Sequence, residues 1–139
     1  MISVTKNISA RLKEISEYIS PDDRVADIGS DHGYLLLLLL DKGCKRLLGI
    51  ENKNGPFLHL KENLDQYLND KIEISFSDGL SYLPSDINTL AFAGMGGKNI
   101  ISILSNNESK LEQIEKIVVS PHIDIPALRR YLSEKGYYI

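Results

Sequence analysis

A single cysteine, Cys44, stands among the 139 residues, so no internal disulfide can form. No grouping of histidine with cysteine has the spacing of a zinc site either, and a reducing, cytoplasmic setting is expected. Cys44 itself reads as a small core residue. Long hydrophobic runs are also missing. The longest, Leu35 to Leu40, falls far short of the roughly 20 residues that a membrane-spanning helix needs. Residues 1–20 are amphipathic and polar, without the apolar centre of a signal peptide. A third absence is excess positive charge: 16 Lys and Arg against 19 Asp and Glu leave a net charge of −3. No whole-molecule field therefore attracts nucleic acid, and any RNA contact has to come from a local patch or from a segment outside this chain. Glycine and proline, 10 and 5 in number, form no repeat or low-complexity tract, which excludes collagen-like and disordered classes. What remains is 42% hydrophobic and 25% charged, the composition of one soluble domain with one core.

Along the chain, apolar positions switch repeatedly between helical and strand spacing. Ile8, Leu12, Ile15 and Ile19 predict an amphipathic helix over 5–19, ended by Ser20-Pro21-Asp22-Asp23. Arg24 to Gly29 reads as a short buried strand, Ser30-Asp31 as helix N-cap candidates, and the leucine run as a buried helix to about Lys42, stopped at Gly43. Arg46 to Glu51 is a second strand. A helix then starts at Asn54-Gly55-Pro56, with Phe57, Leu60, Leu64 and Leu68 on one face. Strands are expected again at Ile72–Phe76, Ile87–Ala93 and Ile114–Val119. Helices are expected around Ile100, Ile101 and Leu104, and around Ile125, Leu128 and Leu132. Strands alternating with helices of this length give right-handed crossovers and a mostly parallel sheet covered on both faces: a doubly wound, Rossmann-like α/β domain over 1–139. At Gly136-Tyr137-Tyr138-Ile139 a run of strand-forming residues has barely begun, so the domain is expected to be truncated before its last strands, with a natural end left open.

In such sheets the ligand sits beyond the carboxyl ends of the strands, where strand order reverses. The first of these turns reads Asp27-Ile28-Gly29-Ser30-Asp31-His32-Gly33, with glycines that let a ligand approach the backbone and a helix N-terminus that favours electron-rich groups. Glu51 ends the second strand 22 residues after Gly29, where an acid that binds a ribose belongs. Asp78, beside Gly79 after the third strand, can accept a hydrogen bond from an exocyclic amine. Together these describe an adenosine. A dinucleotide fingerprint needs glycine where Asp31 stands, and a pyrophosphate is repelled by Asp27 and Asp31. A cationic ligand suits them better, such as S-adenosylmethionine with its amine and sulfonium. Gly94, Met95, Gly96 and Gly97 follow the fourth strand, where backbone could cradle a target base. His32 is expected in a hydrogen-bonding role rather than as a proton carrier. Lys98, Arg129 and Arg130 are expected to be solvated, with phosphate contact as the other reading.

Four segments carry a closer resemblance: Ala26-Asp27-Ile28-Gly29-Ser30-Asp31-His32-Gly33-Tyr34-Leu35, Glu51 with Gly55-Pro56-Phe57, Ser77-Asp78-Gly79-Leu80, and Ala93-Gly94-Met95-Gly96-Gly97. In these the sequence resembles the bacterial tRNA (adenine-N1)-methyltransferases that modify adenine 22. The resemblance implies a class I methyltransferase domain with S-adenosylmethionine as donor, S-adenosylhomocysteine as product and tRNA as substrate. It adds Tyr34, Asn52, Gly94, Met95 and Gly96 to the expected cofactor-binding residues and makes Asp27, Gly94, Met95 and Pro121 the residues expected to position the transfer, with no metal required. The family carries Gln-Pro-Asn where this chain has Ser120-Pro121-His122. It also continues with further strands and a C-terminal helical coiled coil, absent here, that helps to hold tRNA. A nucleotide-binding oxidoreductase of similar fold, or a fragment that binds cofactor without turnover, are the competing readings.

Overall fold

The computed structural model describes residues 10–120 and 123–138. Five short apolar runs form the strands: Arg24–Ile28 (β1), Arg46–Glu51 (β2), Ile72–Phe76 (β3), Thr89–Phe92 (β4) and Lys116–Val119 (β5). They pair in the order β3-β2-β1-β4-β5, every neighbour parallel. Helices Ala10–Glu17 (α1), Tyr34–Lys42 (α2), Asn54–Leu64 (α3), Gly97–Ser105 (α4) and Ile125–Glu134 (α5) cover the sheet.

Alternation along the strands divides the core. Val25, Leu47, Ala91 and Val118 pack with Ile15, Leu36, Leu39, Leu60 and Leu64 from α1, α2 and α3. Ala26, Ile28, Leu48, Ile50, Leu90 and Phe92 point to the other face and meet Ile100, Leu104, Leu128 and Leu132 from α4 and α5. Successive side chains of a strand face opposite sides, so a sheet buried on both faces needs the near-continuous apolar runs that the sequence has. The order runs one way from β1 to β3 and the other way from β4 to β5. The crevice for a ligand therefore opens at the carboxyl ends of β1 and β4.

Several sequence expectations shift. Ser30 and Asp31 do not cap α2; Gly33 is its N-cap residue, at φ +78°, and no side chain caps it. Ser30 is engaged by a buried carboxylate instead. β4 and β5 are shorter than expected, beginning at Thr89 and Lys116. Leu68 lies beyond α3, after a tight turn at Asp65–Tyr67, yet still packs on the core. Gly136 turns at φ +91°, Tyr137 and Tyr138 are in no strand, and the Tyr137 hydroxyl donates to the Ile114 carbonyl at 3.3 Å. Residues 5–9 of the expected first helix lie outside the described residues. Among the described residues no helix is long and apolar enough to cross a membrane.

Candidate active site

The turn after β1 folds back over β2. The amides of Gly29 and Ser30 both donate to the Ile50 carbonyl, at 2.9 and 3.0 Å. Gly29 sits at φ +75°, and a Cβ there would lie 2.9 Å from Met95 Cε. Glycine thus allows both the left-handed turn and the meeting of the β1 and β4 loops. Asp31, also left-handed at φ +53°, donates its amide to Glu51 Oε2 at 3.0 Å, while the Asn52 amide donates to Oε1 at 3.1 Å. Glu51, 7% exposed, therefore clips two strand ends together. Each of its oxygens keeps a further acceptor site for a ligand. The Asn52 side chain in turn donates to Asp78 Oδ1 at 3.3 Å, which links the ends of β2 and β3.

Asp27 is different. It is 2% exposed; its Oδ2 accepts from the Ser30 hydroxyl at 2.9 Å, and its Oδ1 has no partner. A buried carboxylate oxygen without a donor is costly and calls for an explanation. Burial pushes this carboxyl up to about 7, opposed by the Ser30 hydrogen bond and reinforced by the charge of Glu51. A cation delivered to Oδ1 would reverse the shift.

Two cavities open at this edge of the sheet. The larger, about 360 Å³, is lined by Glu51, Asn52, Asp78 and Gly79 together with Lys53, Ser77, Asn99, Ser102 and Ile103. The smaller, about 240 Å³, is lined by Asp27, Ser30, Asp31, His32, Tyr34 and Gly94, closed by Leu12, Leu35 and Ala93. Ile28, Gly29 and Met95 belong to both. An elongated ligand can thus run from one to the other past Gly29.

Most of the residues expected from the sequence come together here, but not all. Gly33 and Gly96 line neither cavity. A Cβ on Gly33 would lie 2.6 Å from Leu64 Cδ2, and one on Gly96 would lie 3.0 Å from Ile123 Cγ1, so both serve close packing behind the site. Gly97 does the same more severely: its Cβ would lie 2.5 Å from the Asp124 carbonyl oxygen. Pro121 lies outside the described residues. Asn99, Ser102 and Ile103 were not anticipated, since they stand on α4 rather than at a strand end. Their i, i+3, i+4 spacing, along the helix face beside the buried Ile100 and Leu104, is the signal that could have found them. Lys98, Arg129 and Arg130 are exposed.

Residues 8–139 match the model of a methyltransferase domain family. The tRNA (adenine(22)-N(1))-methyltransferase of Bacillus subtilis (strain 168) is 33% identical over 133 residues, which cover 94% of this chain and 56% of that protein. The crystal structure of the B. subtilis m1A22 tRNA methyltransferase superposes with a TM-score of 0.87 at 32% identity, covering 96% of this chain and 58% of that one. A Streptococcus pneumoniae protein solved in complex with S-adenosyl-L-methionine gives a TM-score of 0.89 at 30% identity, over 95% of this chain and 64% of that one. The chain spans about half the length of the curated relatives it matches. With the family model matched from residue 8 to the last residue and the doubly wound sheet in place, the chain belongs to the methyltransferase domain family.

Proposed function

We propose that this chain is the catalytic domain of an S-adenosylmethionine-dependent methyltransferase that acts on N1 of adenine 22 in tRNA and leaves S-adenosylhomocysteine. The observation that carries the cofactor is the unpartnered Oδ1 of Asp27, buried beside one of two cavities that join at Gly29 and Met95. That carboxylate suits the ammonium of a methionine moiety, while Glu51 and Asp78 in the larger cavity suit a ribose and an exocyclic amine. The Gly29 cradle supports the same fit, because a Cβ there would press on Met95 and fill the junction. A pyrophosphate would meet Asp27 and Asp31 instead of bare amides, which disfavours the oxidoreductase reading. The name of the B. subtilis relative supports tRNA adenine as the acceptor.

Bound S-adenosylmethionine supplies an electrophilic methyl group on a sulfonium, for which the in-plane lone pair of adenine N1 is the acceptor. Because that lone pair already exists, the residues need only bind and align, and positioning is the main source of rate. Asp27 anchors the donor, Met95 packs at the junction, and the exposed backbone of Gly94 offers the base a flat approach. N1 lies on the Watson–Crick edge, so the adenine has to be unpaired or flipped out to reach it. Pro121 is assigned to the base side on its motif alone.

Replacing Glu51 by Ala removes the ligand acceptor and the clip on Asp31 and Asn52 together. Binding of S-adenosylhomocysteine should weaken by about 1–3 kcal/mol, with a cooperative thermal transition retained. An unchanged dissociation constant by calorimetry would leave Glu51 a purely structural clip.

The acceptor is tested with tRNA. RNA affinity rests largely on phosphate neutralisation, and a chain of net charge −3 supplies little of it. This chain alone should bind cofactor and methylate tRNA poorly, whereas a version extended to the length of its relatives should methylate N1 of adenine 22. An extended protein that leaves that adenine unmodified would refute the assignment. Full turnover by the 139 residues would instead place the RNA site within them, with Lys98, Arg129 and Arg130 as first candidates.

A further inference from the structure

Outside the junction of the two cavities, Asp31, His32 and His59 bring one carboxylate and two imidazoles together. One ligand atom from each lies within 4.8 Å of the others. His32 Nε2 stands 3.8 Å from Asp31 Oδ1, and the His32 and His59 rings stack with centroids 4.8 Å apart. The backbone beneath them is tied down on both sides. The Asp31 amide donates to Glu51, and the His32 carbonyl accepts from Asn63 Nδ2 at 2.7 Å. Asn63 stands one turn beyond His59 on the same face of α3, so the surface that carries His59 is bonded directly to the loop that carries the other two.

We infer that Asp31, His32 and His59 form a binding site for a divalent transition-metal ion of the zinc and nickel class. Two imidazoles favour such ions over magnesium or calcium, which prefer all-oxygen ligands. Tetrahedral coordination with bonds of about 2.0–2.1 Å puts ligand atoms roughly 3.4 Å apart. The His32 and His59 rings are stacked at 13°, so their in-plane lone pairs run nearly parallel, and the exposed His59 ring has to turn about its side-chain torsions to aim at the ion that Asp31 and His32 face. The Asp31 and His32 side chains are 59% and 42% exposed, so an ion can enter from solvent. Three protein ligands leave a fourth position for water or an incoming donor. The stacked rings without an ion would be a solvated imidazole pair beside an exposed acid, and binding separates the two cases. Asp31 and His32 also line the smaller cavity, but the metal can be assayed without cofactor, so this inference and the proposed function fail independently.

The experiment titrates untagged protein with Co²⁺ alone, followed by visible absorption, and with Zn²⁺ alone, followed by calorimetry. One ion per chain is expected, with Mg²⁺ failing to displace it. His59 is exposed, so His59→Ala should fold normally. It and His32→Ala should each lower affinity at least on the order of tenfold to a hundredfold, the loss seen even for residues that only orient a ligand. No saturable binding, or wild-type affinity in either variant, would overturn the site.

Discussion

Asp27→Asn is expected to make the free protein more stable at pH 8 while abolishing its affinity for S-adenosylmethionine. The carboxyl of Asp27 is fully buried and pushed up to about 7, against about 3.9 for an unfolded aspartate. The folded state therefore binds this proton more tightly than the unfolded state does. Stability contributed by the protonated form is present below pH 4 and is lost as pH rises from about 4 to 7. Above 7 the folded protein carries an uncompensated buried charge, with a penalty on the order of 4 kcal/mol. An amide removes that charge and still accepts the Ser30 hydroxyl. The melting temperature of the variant should exceed that of the parent at pH 8 and converge on it near pH 4. Cofactor binding should move oppositely, because a ligand ammonium needs the ionised form: affinity in the parent should fall as pH drops below about 7, and the variant should lose it at every pH. A variant less stable at pH 8, or one that binds cofactor normally, would remove Asp27 from this role.

Gly94→Val, in a version extended to the length of the relatives, should lower methyl transfer by about a hundredfold or more, the scale of effect from misplacing a reactant by about 1 Å. Gly94 is exposed, at φ +157° on the wall of the smaller cavity. Such backbone belongs to glycine, and a branched side chain would occupy the approach assigned to the base. Gly94 shares its cavity with Asp27, so binding of S-adenosylhomocysteine should weaken too, but less than turnover, because Glu51, Asn52 and Asp78 in the larger cavity are untouched. Equal losses in both would mean that the substitution disturbs the cofactor cavity and that the base approaches elsewhere.

The sheet was legible because buried parallel strands need near-continuous apolar runs, and Val25 to Ile28, interrupted only by Asp27, Leu47 to Ile50 and Leu90 to Phe92 supply them. Their acidic or glycine-rich ends then marked the cleft without any knowledge of packing: Glu51, Asp78 and Gly94 all line it. Ser30 was misread because its hydroxyl suits a helix cap and a buried carboxylate equally, and only the depth of Asp27 decides between them. Gly33, Gly96 and Gly97 show the same limit. A glycine beside a ligand and a glycine beside Leu64 or the Asp124 carbonyl look alike in sequence, and the distinction lies in what a Cβ would strike. Asn99, Ser102 and Ile103 went unnoticed because they reach the larger cavity from within a helix. His59 carries no signal of its own in the sequence, and its nearness to Asp31 and His32 depends on how α3 lies over the β1 turn.

Calorimetric titration of this chain with S-adenosylhomocysteine and, separately, with NAD decides which cofactor the cleft is built for. The paired acids Asp27 and Asp31, the junction at Gly29 and Met95, and the acids of the larger cavity predict saturable binding of one S-adenosylhomocysteine per chain and none of comparable strength for NAD. NAD bound as tightly as S-adenosylhomocysteine, or no S-adenosylhomocysteine bound at all, would contradict it.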